Sequence, residues 1–238
     1  MSALVEVHDS SEALATAVAG ELLSRLADLQ SSDREPTVAL TGGTIAEAIH
    51  RELARLSPGS GVDWTRVSIW CGDERFVAAD SPDRNVGQAR AAFLDAVGAT
   101  QVHSAPASDE VASVDESAEA YARAFGEHGA GFDILMLGIG PDGHVASLFP
   151  GHPALGAVGT LAVGVPDSPK PPPGRVTFTF EALAGSDAVW FVASGEGKAE
   201  AVARALADEG SISETPARGV VGTTETLWWL DRASASQL

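Results

Sequence analysis

Residues 37–56 read TVALTGGTIAEAIHRELARL, and the reading of this stretch decides the fold. TVAL is a short apolar run of strand length. Beyond it Ile45, Ile49, Leu53 and Leu56 recur at the spacing of one helix face. TGGT supplies the tight turn between them, and Thr44 with Glu47 forms a capping box at the helix start. A strand handing over to a helix through glycines is the unit from which mostly parallel sheets are built.

The same alternation continues on both sides. Upstream, a helix is predicted to start near Asp9, with Glu12 as its capping partner and Leu14, Val18, Leu22, Leu26 and Leu29 on its apolar face. Downstream, strands are expected at 66–70, 132–138, 175–180, 187–193 and 226–230, with helices near 86–97 and 113–128. This order predicts an α/β chain, a mostly parallel sheet covered on both faces, and a single domain over 1–238. The segment PDSPKPPPG (166–174) reads as an extended, exposed loop, and no composition shift marks it as a boundary.

The chain has 238 residues, enough for one substantial core, and no apolar run approaches the length of a membrane span. MSALVEVHDS lacks the basic start and apolar centre of a signal peptide, so a cytoplasmic location is expected. Cys71 is the only cysteine; it is expected to be a small buried residue rather than a nucleophile. Fifteen basic against 33 acidic residues give a net charge of −18. That field disfavours nucleic acid and anionic membranes as partners. It also makes any arginine or lysine within a motif more informative than usual.

Four strand ends carry polar or glycine-rich stretches, and a parallel sheet places all four on one edge, where α/β sheets bind ligands. At the first, Gly42, Gly43 and Thr44 bring backbone N–H groups and a helix N-terminus to a candidate anion site. The second, WCGDERFV (70–77), sets Arg75 beside Asp73 and Glu74, and a guanidinium can grip a phosphate through two parallel hydrogen bonds. The third, GIGPDGHVASLFPGHP (138–153), offers His144 as a general base with Asp142 to orient it or to accept from a substrate hydroxyl, where the strand is expected to lead into a helix. His152 fits a structural turn. Metal binding by His144, Asp142 and Glu74 is disfavoured, for lack of a second histidine at helical spacing. The fourth, VASGEGKAEAVARAL (192–206), places Lys198 in the first turn of a helix, where a bound anion would offset its unfavourable dipole. Together they describe a site for a small phosphorylated substrate and general-base chemistry.

LTGGT, CGDERFV with DSPDRNVGQA, LGIGPDGHVASLFPGHP, PPPGRVTFTF, SGEGKAEAV and ARGVVGTTETLWWLD resemble, in order and spacing, the 6-phosphogluconolactonases. The resemblance spans about 38 to 232. It implies the three-layer α/β/α fold shared with glucosamine-6-phosphate deaminases, ribose-5-phosphate isomerases and CoA-transferases. The implied reaction is hydrolysis of 6-phospho-D-glucono-1,5-lactone, the second step of the oxidative pentose phosphate pathway, with no cofactor or metal. The family's base falls on His144, its arginine on Arg75 and its lysine on Lys198, with Asp142 positioning the base or a sugar hydroxyl. Gly42, Gly43, Thr44, Asp73, Arg75 and Lys198 are the expected substrate and phosphate contacts. Which cation serves the phosphate and which the oxyanion stays open at this level. The related deaminases typically carry DEY and GHIAFNEP; here DER and GHVASLFP stand instead, with no carboxylate after the histidine. The family's usual SGGSTP is TGGTIA in this chain, and Val145 follows His144 where a threonine is common. The protein is expected to act on a small molecule as a monomer or weak oligomer.

Overall fold

TVAL forms a strand and the segment after TGG forms a helix, as the spacing predicts. The computed structural model describes residues 3–129 and 131–238, so Met1 and Ser2, part of the stretch read for a leader, lie outside the described residues. In chain order the elements are β1 (Leu4–His8), α1 (Ser11–Ser31), β2 (Thr37–Leu40), α2 (Thr44–Leu56), β3 (Ser68–Cys71) and β4 (Asp73–Arg75). Next come α3 (Asn85–Ala89), a π-helical turn (Arg90–Leu94) and α4 (Asp95–Val97), which together fill the single helix expected near 86–97. There follow α5 (Val114–His128), β5 (Ile134–Gly138), β6 (Ala162–Val165), β7 (Arg175–Phe178), α6 (Phe180–Leu183), β8 (Ala188–Ala193), α7 (Ala199–Leu206) and β9 (Glu225–Asp231).

Six strands form one sheet in the order β1-β9-β8-β5-β2-β3, and every pairing in it is parallel. Its residues alternate between two apolar layers, as the period of a strand requires. Val38, Leu40, Ile69, Ile134, Met136, Trp190, Val192 and Trp229 face α1 and α2. Ala39, Trp70, Leu135, Leu137, Val189, Phe191, Trp228 and Leu230 face the opposite way, toward Tyr121 and Phe125 of α5. Both faces are therefore covered, which explains why the strands read as continuous apolar runs.

Three expectations need correction. The first helix is capped by Ser10, whose hydroxyl accepts from the Ala13 N–H at 3.2 Å, so Asp9 and Glu12 form no capping box. Ahead of it LVEVH is an edge strand beside β9, overlooked because its side chains are mostly exposed and show no apolar alternation. RVTFTF does not join the main sheet. Residues 175–178 pair antiparallel with the DER strand and with β6, in a second sheet ordered β4-β7-β6. The chain leaves β3 for this small sheet at Cys71, whose backbone N–H and C=O are both held by the Tyr121 hydroxyl at 3.0 and 2.9 Å. Cys71 itself is buried, as expected.

His50 of α2 is 4% exposed, packs on Phe93 with ring centroids 5.0 Å apart, and has no partner for Nδ1 among the described residues. Burial, with the nearby Arg51 charge, pushes its pKa down to about 4 from 6.5. A base depressed in the folded state binds its proton more readily when unfolded. Its stabilisation is therefore fully present above pH 6.5 and is lost as pH falls toward 4. About 2 kcal/mol should disappear between pH 7 and pH 5. Urea unfolding of wild type and His50→Leu at both pH values checks this: the wild-type difference should exceed that of the variant by about this amount.

Candidate active site

The four polar strand ends converge on one cleft of about 800 Å³ at the carboxyl edge of the main sheet. Gly42, Gly43, Thr44, Asp73, Arg75, His144 and Lys198, named from four separated motifs, all line it. The ends of β2 and β5 are tied there by the Thr41 hydroxyl, which accepts from the Gly138 N–H at 3.0 Å.

On one side lies the start of α2. Gly43 is its N-cap and no side chain closes the first turn, so its free N–H groups open on the cleft. Thr44 is thus the first helical residue and not the cap, which removes the Thr44–Glu47 capping box expected from the sequence. Gly42 is required by a neighbour. A Cβ there would stand 2.2 Å from Oδ1 of Asn85, a buried oxygen with no hydrogen-bond partner among the described residues. The Asn85 amide donates to the Asp73 carbonyl at 2.8 Å.

DER divides its labour. Glu74 is 1% exposed and points away from the cleft, accepting from the backbone N–H groups of Arg75, Asn85 and Val86 at 2.8, 2.7 and 2.9 Å. It anchors β4 to the start of α3. Burial raises its pKa against the opposing pull of those N–H groups and of Arg84. Asp73 accepts from the Ser147 hydroxyl at 2.6 Å and faces the Arg175 guanidinium at 3.8 Å. Arg75 forms no ion pair among the described residues; one Nη donates to the Asp83 carbonyl at 2.6 Å and its buried Nε has no partner. Its charge is therefore left for the cleft.

GPDGHVASLFP does not begin a helix. After β5 the chain runs through consecutive turns, with Val145 and Leu148 bridged and Ala146 in the left-handed region at φ 47°. The turns set His144 Nδ1 2.5 Å from Asp142 Oδ1. Burial would raise the Asp142 carboxyl, but the hydrogen bond and charge of His144 and the charge of Lys170 outweigh it and hold the group well below the carboxylate range. Nδ1 is thereby occupied, and Nε2 is the nitrogen left to work on a water. Val145 is wholly buried, so a hydroxyl would have no use there. His152 caps a short 3₁₀ turn by accepting from the Ala154 N–H at 3.1 Å, in keeping with its reading as structural.

Lys198 sits at the start of α7 and donates to the Ile139 carbonyl at 2.6 Å. Burial lowers its pKa, as does the neighbouring Lys170 charge, while Asp142 opposes both. The turn before it is pinned by Asp231, which accepts from the Ser194 hydroxyl at 2.6 Å and the Gly195 N–H at 3.1 Å.

Three contributors were missed: Asn85, Lys170 and Arg175. The segment 166–174 is not a free loop, because Lys170 and Pro171 line the cleft and Arg175 follows directly. Two cations bracketing three prolines in so acidic a chain were the available signal.

The arrangement unites an oriented histidine, several cations and a helix N-terminus in one water-accessible cleft, which equips it to activate a water against an anionic substrate. Residues 9–229 match the family model described as glucosamine-6-phosphate isomerases/6-phosphogluconolactonase. The 6-phosphogluconolactonase of Streptomyces coelicolor is 43% identical over 244 residues, covering 98% of this chain and 93% of that one. The crystal structure of 6-phosphogluconolactonase from Thermotoga maritima superposes with a TM-score of 0.84 at 26% identity, over 96% of this chain and 99% of that one. A monomeric glucosamine-6-phosphate deaminase, 20% identical, superposes with a TM-score of 0.82 over 99% and 100% of the two chains, which shows the shared fold alone.

Proposed function

The chain belongs to the glucosamine-6-phosphate isomerase and 6-phosphogluconolactonase family and hydrolyses 6-phospho-D-glucono-1,5-lactone to 6-phosphogluconate; we propose that His144 is the general base of that reaction. The observation that carries the assignment is the 2.5 Å contact between Asp142 and His144 Nδ1, which fixes the imidazole and leaves Nε2 for a water. That water attacks C1 as its proton passes to Nε2, and the carbonyl becomes a tetrahedral oxyanion. Collapse breaks the bond from C1 to the ring oxygen, which takes the proton back from the imidazolium and becomes the 5-hydroxyl. The new carboxyl group then loses its proton to solvent.

The cations divide between the two ends of the substrate. Arg75 stands opposite Arg175 in the small sheet, beside Asp73 and Asn85, and Asn85 packs against Gly42. This end, with the Gly42–Thr44 backbone, is assigned to the phosphate. Lys198 lies with Lys170 near the Asp142–His144 pair, so its charge is assigned to the lactone end. Asp73, expected among the substrate contacts, uses its carboxylate on Ser147 and Arg175, and its part is to hold that end of the cleft in shape.

Arg75→Ala should lower kcat/KM on the phosphorylated lactone by about 10²-fold, the value of a charge-assisted phosphate contact. Hydrolysis of unphosphorylated gluconolactone should barely change. Both rates, read above spontaneous ring opening, test the assignment: an equal loss on the two lactones would remove Arg75 from the phosphate.

A further inference from the structure

We propose that Lys170 is a catalytic residue whose ammonium binds the lactone carbonyl oxygen as it becomes the oxyanion, and that Arg175 is the positioning residue that presents it. The inference rests on the lactonase reading above and adds to it a group in the segment read from sequence as a linker.

The first observation is where the ammonium stands. Nζ is 3.3 Å from His144 Nδ1 and 3.9 Å from Asp142 Oδ1. With its hydrogen directed at Asp142, Nδ1 has no lone pair to offer a second donor. The carboxylate oxygen lies beyond hydrogen-bond distance. Charge therefore holds Lys170 beside His144 in the wall of the cleft, and among the described residues its hydrogens have no other acceptor. Lys198, the other lysine near the pair, already donates to Ile139 at 2.6 Å.

The second observation is the clamp behind it. Arg175 is 6% exposed, and its Nε donates to the Pro172 carbonyl at 2.8 Å. One Nη donates to the carbonyls of Pro171 and Lys170 at 3.0 and 3.2 Å. Ser168 adds a local brace, its hydroxyl donating to the Lys170 carbonyl at 3.1 Å and accepting from the Lys170 N–H at 3.2 Å. Asp73 backs the guanidinium from within the small sheet. Burying a guanidinium to hold three consecutive carbonyls is costly for a spacer. It is what fixing the origin of a working lysine requires.

The third consideration is charge. Asp142 orients His144, but its negative charge lies close to where the oxyanion forms and repels it. A cation near the same carboxylate oxygen cancels that repulsion and supplies donors to the oxyanion, which the protein has arranged before reaction begins. The product carries a carboxylate at the same carbon, so the same ammonium should bind it.

The test uses Lys170→Met and Lys170→Arg in the intact protein, with two readouts. On fresh 6-phosphogluconolactone, Lys170→Met should lose about 10²-fold in kcat with KM changed little, and Lys170→Arg should recover part of the loss. By calorimetry, Lys170→Met should weaken binding of 6-phosphogluconate by about tenfold or more. Its affinity for glucitol 6-phosphate, which has the phosphate but no carboxylate, should stay at the wild-type value. Equal weakening for the two ligands, or a kcat within about threefold of wild type, would overturn the proposal. The binding comparison needs no hydrolysis, so it judges Lys170 even if His144→Ala stays active and the base is misassigned.

Discussion

His144→Ala should bring hydrolysis of 6-phosphogluconolactone down close to its spontaneous rate, a loss of about 10²- to 10⁴-fold. The lactone opens unaided, so the residual rate is read against buffer alone and against wild type at equal concentration. Among the described residues no other group at that end of the cleft can replace the proposed base. Asp142 is held ionised far below neutral pH and is bonded to the imidazole, and Lys170 and Lys198 are cations. The end assigned to the phosphate is built on α2 and β4 and meets the turn carrying His144 through the Ser147 hydroxyl bonded to Asp73, a contact that His144→Ala leaves in place. Affinity for glucitol 6-phosphate should therefore remain within about twofold of wild type. A variant that keeps more than about a tenth of the wild-type rate would remove His144 as the base.

The sheet and the four site-bearing strand ends were legible in the sequence because both rest on local chemistry. TVAL, FDILMLG and DAVWFVA are apolar runs of strand length, and glycine follows each: a Cβ at Gly42 or Gly140 would collide with Asn85 or His144, and Gly195 stands at φ 90°. The part that was not legible is the second sheet. DER occupies three residues, too few to show an alternation, and its partner RVTF reads as one more buried strand of the main sheet. Only the pairing of the two, 100 residues apart, brings Arg175 beside Arg75 and folds the proline segment onto the cleft. Composition signalled an exposed linker there because prolines suit one. The one local trace of the guanidinium that binds their carbonyls is its charge, set with Lys170 around the prolines of an acidic chain. Likewise ASLFP carries the apolar content of a helix start, but it is used as a chain of turns that packs Leu148 and Phe149 into the core beneath the histidine.

Gly140→Ala, a change of one methyl group, should cost about 10²-fold or more in kcat without unfolding the protein. A Cβ at Gly140 would lie 1.9 Å from His144 Nδ1, 2.1 Å from Cε1 and 2.4 Å from Asp142 Oδ1. No real contact is that short, so the imidazole and the carboxylate must both leave their present positions. The backbone has little room to yield, since the Gly140 N–H donates to the His144 carbonyl at 2.9 Å and the Gly143 N–H donates to Gly140 at 2.9 Å. The base is therefore displaced while the turn persists. Gly156→Ala, where a Cβ meets nothing within 4 Å, is the matched control and should keep the wild-type rate. The decisive measurement is the double variant. If Gly140 matters only by making room for the oriented imidazole, Gly140→Ala in the His144→Ala background should cause no further loss, because the group it displaces is already gone. A further drop in the double variant, or a wild-type kcat in the single one, would mean that the Asp142–His144 geometry is not the one that does the chemistry.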